Sequence, residues 1–270
     1  MFGGDTAQNP YLCGMKKFQT HISQAAEESS LFSKIELYRM SHDECGREYD
    51  CQYMKRKQKY MRFYQNLHLR NGLRFTEKNG FPIMQPYDGP IDFHFIPFTS
   101  RLRHSGDGEA LHFFMDDYKF ESLLDNRFDL VTMQISKFNI VMAPDFSLYS
   151  DAPELFVKTA IYKRQLYGAC WQQKCGLNVI PVAGVPRADA LEYAFEGTPE
   201  NSIIGYCGAG HHISKSAYDL WIGGLYELEA RRNPKMILIY GKEEKIPGLN
   251  TPVIFIPDHI SQNLRTLKHK

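Results

Sequence analysis

From Asp92 onward the chain repeats one texture: a short apolar run that ends in Gly, Pro or Asp, followed by a stretch long enough for a helix. The runs are DFHFIPF (92–98), LHFFMDD (111–117), NIVMAPDF (139–146), LNVIPVAG (177–184), SIIGYCG (202–208), KMILIYG (235–241) and PVIFIP (252–257). Most are continuously apolar rather than alternating. Strands of that kind are covered on both faces, as in a parallel sheet. Helix-compatible segments at 119–137, 153–171, 188–195 and 214–232 lie between them and can make the crossovers that parallel strands need. The pattern predicts an α/β domain over 90–270 with a mostly parallel sheet, arranged as a partial or distorted TIM-like barrel; an open doubly wound sheet is the alternative. The segments joining the first two and the last two runs look too short for full crossovers.

Before Gly89 the texture differs. Residues 1–89 read as an irregular N-terminal extension with one helix at about 44–70, where CQYMKRKQKYMRFYQNLHLR holds good helix formers and no Gly or Pro. Tyr53, Tyr60, Phe63, Tyr64 and Leu67 form an aromatic stripe at helical spacing, and Lys55, Arg56, Lys59 and Arg62 fill the other face. Clustered cations neutralise phosphates while tyrosines stack on bases, so this helix is the candidate nucleic-acid contact. By amphipathicity alone, the stripe docking on the α/β domain and leaving a solvated basic face is the stronger reading. The stretch NGFPIMQPYDGP reads as a linker or wrapping segment.

A formal charge of +1, from 32 Lys and Arg against 31 Asp and Glu, means that no global field steers the protein to nucleic acid or membrane. No apolar run approaches the roughly 20 residues of a membrane span, and residues 1–10 lack the pattern of an export signal. The expectation is a cytoplasmic protein without a membrane partner, with its six cysteines mostly free thiols. Cys45 and Cys51, with His42 nearby, could hold a metal, but the tight spacing of zinc knuckles is missing.

In parallel α/β folds ligands gather at the carboxyl ends of the strands. There the sequence places Asp116, Asp117, Asp145 and the loop GAGHH. The aspartates could hold a divalent cation or divide acid and base roles; Asp117 and Asp145 could instead be caps or turn formers. Gly208 and Gly210 let backbone approach an anion, with Ser214 opening the next helix, and the helix N-terminus offers free N–H groups. His211 is placed as a base or ligand, and at most one of the pair His211 and His212 is expected to face a site. His94 and His112 read as core histidines. Trp171, in GACWQQKCG, could stack on a planar ligand or pack in the core.

The segments LHFFMDDYKFE, MAPDFSLYSDAP, YGACWQQKCGLNVIPV and PKMILIYG together resemble an uncharacterised domain-of-unknown-function family of the DUF4417 type, carried by bacteria, phages and plasmids. The resemblance spans roughly 93–241 and implies a compact protein of mobile elements, with no activity to import. The layout is also loosely like transglycosylase-type barrels that modify bases, by fold-level analogy alone. The functional expectation is a phosphate-bearing, nucleotide-like ligand or nucleic acid bound at the strand ends, by a hydrolase or transferase. Its alternative is a non-catalytic replication, partition or regulatory factor working through the basic helix.

Overall fold

The computed structural model describes residues 64–257. The chain divides into two units, Met1–His68 and Leu69–Lys270, and the features below belong to the second. Lys55, Arg56, Lys59 and Arg62, and the His42, Cys45 and Cys51 group, lie outside the described residues.

Among the described residues eight strands form two four-stranded sheets: β1 (His94–Pro97), β2 (Glu109–His112), β3 (Ile140–Met142) and β4 (Val179–Ile180), then β5 (Val182–Ala183), β6 (Ile203–Cys207), β7 (Met236–Tyr240) and β8 (Val253–Ile256). The order is sequential in each sheet and all six pairings are parallel. Burial explains the apolar runs: all of β3 and the first four residues of β6 are buried, as strands covered on both faces require.

One residue separates the sheets. Pro181 stands between β4 and β5 and has no N–H to give to a neighbour, which interrupts the ladder. Its carbonyl still accepts from Gly205 N at 2.8 Å. A single run, 179–183, therefore serves the first sheet with one half and the second sheet with the other. Among the described residues no pairing joins β8 to β1, so the sheet is not a closed barrel, and nowhere does the strand order reverse as a doubly wound sheet demands.

Three long helices supply crossovers: α1 (Glu121–Ile135), α2 (Glu154–Gln173) and α3 (Lys215–Arg232). In α1 the buried residues Leu124, Phe128, Val131 and Ile135 recur at four, three and four, one apolar stripe of a 3.6-residue repeat. Ser214 caps α3 by accepting from Ala217 N at 3.1 Å, and Asn233, at φ 43°, ends it in the left-handed region. The two joins expected to be too short nevertheless connect parallel strands. A 3-10 turn at Phe98–Arg103 spans β1 to β2, and an irregular loop without a helix spans β7 to β8. The joins, residues 98–108 and 241–252, are long enough to run back the roughly 13 Å of a four-residue strand without a full helix.

The larger core packs aromatic rings between the first sheet, α1 and α2. Phe113 stacks on Phe98 with ring centroids 4.6 Å apart and meets Phe120 edge-on at 5.4 Å. Each such ring stabilises by roughly 2–3 kcal/mol through burial. Beneath the sheet, residues 81–87 run past the amino end of β6: Ile203 N donates to Tyr87 O at 2.7 Å, and Met84 N to Gly197 O at 2.9 Å. Phe81, Met84 and Tyr87 are buried there.

Candidate functional site

The carboxyl ends of the strands open into a cleft of about 1340 Å³. Its walls come from the loops after β1, β2, β3, β5, β6 and β7, where the backbone leaves the ladder and side chains are free to converge.

Asp145, just past β3, is the most enclosed acid. Its side chain is 12% exposed, and its Oδ1 accepts from Arg164 Nη2 at 2.7 Å. Arg164 comes from the middle of α2 with its side chain 3% exposed, and the same nitrogen donates to Phe146 O at 2.9 Å. Its Nε is buried without a hydrogen-bond partner. The Cys207 thiol, at the end of β6, lies against Asp145 and hydrogen-bonds to it. Burial pushes the Asp145 carboxyl above its usual range, Arg164 and Cys207 pull the other way, and Asp117 adds to the rise. Burial, then the neighbouring Asp145, drives the Cys207 thiol well up, so it stands there as a neutral donor.

Asp117 joins this group from the loop after β2. Its carboxylate accepts from Ser147 N at 3.0 Å and Ser147 Oγ at 2.9 Å, tying that loop to the one after β3; burial raises its pKa. Asp116 lines the cleft, as Asp117 does not, but stands apart from this network. It pairs with Lys119 at 2.8 Å, is exposed, and is held below the usual carboxylate range by that ammonium. None of the three caps a helix: Asp116 makes no side-chain cap bond, and the carboxylates of Asp117 and Asp145 are taken by Ser147 and Arg164.

The opposite wall is built on the second sheet. After β6, Gly208 N donates to Tyr240 O at 2.8 Å, and a Cβ on Gly208 would lie 2.8 Å from that same oxygen, so only glycine fits. Gly210, at φ 81°, turns the chain into the 3-10 turn His211–Ile213. His211 is buried, donates from Nδ1 to Gly208 O, and stacks on Trp221 with centroids 4.1 Å apart. Its Nε2 lies 2.5 Å from Glu244 Oε1, and His212 Nε2 lies 3.3 Å from the same oxygen. Both histidines line the cleft, where one was expected.

Other expectations are corrected. Trp171 is fully buried, donates from Nε1 to Thr132 Oγ1 at 2.9 Å and stacks on Phe128 and Phe113, which leaves no ring face for a ligand. Burial of so large an aromatic surface outweighs its use as an exposed platform. Ser214 spends its hydroxyl on capping α3 and is not among the lining residues. His94 is exposed and lines the cleft instead of filling the core, whereas His112 is fully buried. Among the described cysteines, Cys170, Cys175 and Cys207 are free thiols.

Sequence reasoning missed Arg164, Cys207 and Glu244. Arg164 carried a signal: it falls seven and three residues after Val157 and Ile161, on the buried stripe of α2, where a cation needs a partner. Glu244 sits in the polar run GKEEK, where nothing sets it apart.

The model of the family described as Domain of unknown function (DUF4417) matches residues 77–255. The Gene 1 protein of Mycobacterium phage D29 is 33% identical over 147 residues, 54% of either chain. That of Mycobacterium phage L5 is 32% identical over 188 residues, covering 67% of this chain and 81% of the relative. The chain thus spans about half the length of the D29 relative. No solved structure matches. Because the family match runs from before β1 to within a residue of the end of β8, the chain belongs to the DUF4417 family, a domain of unknown function with relatives encoded by phages.

Proposed function

We propose that the protein binds a phosphate-bearing, nucleotide-like ligand in this cleft and acts on it as a hydrolase or transferase, with Asp145 exchanging the proton. The observation that carries the reading is Asp145 itself: a carboxyl enclosed at the cleft wall, its pKa raised by burial, with Arg164 and Cys207 fixing its orientation. A carboxyl tuned upward suits general acid–base work near neutrality, and an acid perturbed by burial and a specific charge partner in a cleft is a functional-site candidate. Anion binding draws on the rim, where Arg103, Lys119 and Lys242 line the cleft with the first turns of α3.

The test follows Trp221 fluorescence while nucleoside mono- and triphosphates and short single-stranded oligonucleotides are titrated, with phosphate and free base assayed as products. Saturable binding by wild type, with Asp145→Asn retaining binding but losing at least about a hundredfold in turnover, supports the reading. Binding by neither probe class, or equal turnover in Asp145→Asn, overturns it.

A further inference from the structure

We infer that His211, His212 and Glu244 form a site for one divalent transition-metal ion of the zinc class at the wall of the cleft. Nothing in the phosphate-ligand reading is needed for this, because the argument stands on the three side chains alone.

The residues arrive from two adjacent strand ends. His211 and His212 follow β6, Glu244 follows β7, and these strands pair over five residues from Ile203↔Met236 to Cys207↔Tyr240, so both turns are held side by side. One ligand atom from each lies within 4.8 Å of the others, and no other group of three such side chains occurs among the described residues. A tetrahedral ion with bonds of about 2.0–2.2 Å separates its ligand atoms by roughly 3.4 Å. The His212–Glu244 distance of 3.3 Å already meets that figure. The His211–Glu244 distance of 2.5 Å needs to open by about 1 Å, within the reach of a carboxylate on a surface loop.

The orientation of His211 is that of a ligand. Its Nδ1 donates to Gly208 O, which turns Nε2 toward Glu244. Ligating histidines are held in this way, by giving the other N–H to a backbone carbonyl. At 2.5 Å the ring nitrogen and the carboxylate oxygen already face each other across a gap that a shared proton or a cation bridges. The Trp221 face fixes the ring plane. Two imidazoles and one carboxylate are borderline donors, which favours zinc-class ions over the all-oxygen preference of calcium or magnesium. Three protein ligands, with both histidines lining the cleft, leave the fourth position facing it, as in zinc sites that act on bound molecules. The competing reading is an acid bridging two histidines with no ion, and it predicts no metal affinity.

The full chain, stripped with chelator, is titrated with Co²⁺ and then Zn²⁺ while visible absorption and tryptophan fluorescence are followed. One equivalent of cobalt should bind with a nitrogen–oxygen spectrum lacking a near-ultraviolet thiolate band, quench Trp221 and be displaced by zinc. His212→Ala and Glu244→Gln should each weaken binding by about tenfold or more. No saturable binding, unchanged affinity in both variants, or a thiolate band showing that cysteines hold the metal would each overturn the site. His212 is 58% exposed, so its variant remains informative if Glu244→Gln unfolds. Nucleotide titrations run in excess chelator separate failure here from failure of the ligand reading.

Discussion

The two walls of the cleft are made from similar residue types and hold them differently. On the first sheet's side Asp145, Arg164 and Asp117 are closed into a buried network in which the carboxylates have protein partners. On the second sheet's side His211, His212 and Glu244 converge on a single oxygen at a half-open surface. The difference lies in the elements beneath. Arg164 projects from a long helix packed on the sheet, whereas Glu244 hangs on an irregular loop. Ionic groups held by packed elements keep one geometry and also bear on the fold's stability, whereas those carried by loops can shift to accept a ligand.

Arg164→Met should show the largest effect. It leaves Asp145 enclosed without its cation, at a cost of about 3–5 kcal/mol, read as a lowered urea midpoint; the double variant Arg164→Met/Asp145→Leu should recover most of it. A loss no greater than that of a surface substitution would erase the contrast between the walls.

Asp145→Asn sharpens the same comparison through pH. A carboxyl whose pKa is raised on folding binds its proton more tightly in the folded state, so its contribution is fully present below the unfolded pKa of about 4 and is lost as pH rises through the folded value. Stability of wild type relative to Asp145→Asn should therefore fall across that window, with a slope of at most about 1.4 kcal/mol per pH unit. A flat difference curve from urea melts at successive pH values would show that Arg164 cancels the burial. His212→Ala, on the open wall, should change stability by no more than about 0.5 kcal/mol; a larger loss in the same melts would make that wall structural too.

The helices and the strand-end positions were legible because they rest on local chemistry. The three-and-four spacing in α1, Ser214 before α3 and the glycines after β6 each act within one turn of chain. Asp116 and Asp145 show where this stops. Both follow apolar runs, yet one is exposed on Lys119 and the other enclosed on Arg164, a partner nineteen residues away on another element. Glu244 meets His211 across thirty-three residues, and no periodicity encodes that. Trp171 was ambiguous for another reason: a large aromatic satisfies a core and a stacking platform equally until its neighbours are known. The break at Pro181 was written in the sequence, but its effect on the ladder depends on which strands flank it.

The sequential strand order bears on how the domain comes into being. Within each sheet every strand after the first pairs with the one made just before it, so as the chain leaves the ribosome β2, β3 and β4, and then β6, β7 and β8, each find their template already in place. Within each sheet growth proceeds in one direction, by addition beside the strand last formed. Short-range pairing of this kind keeps the closure entropy of each step small, and the cleft, which needs the loops after both β3 and β7, is completed only after β7 has joined its sheet.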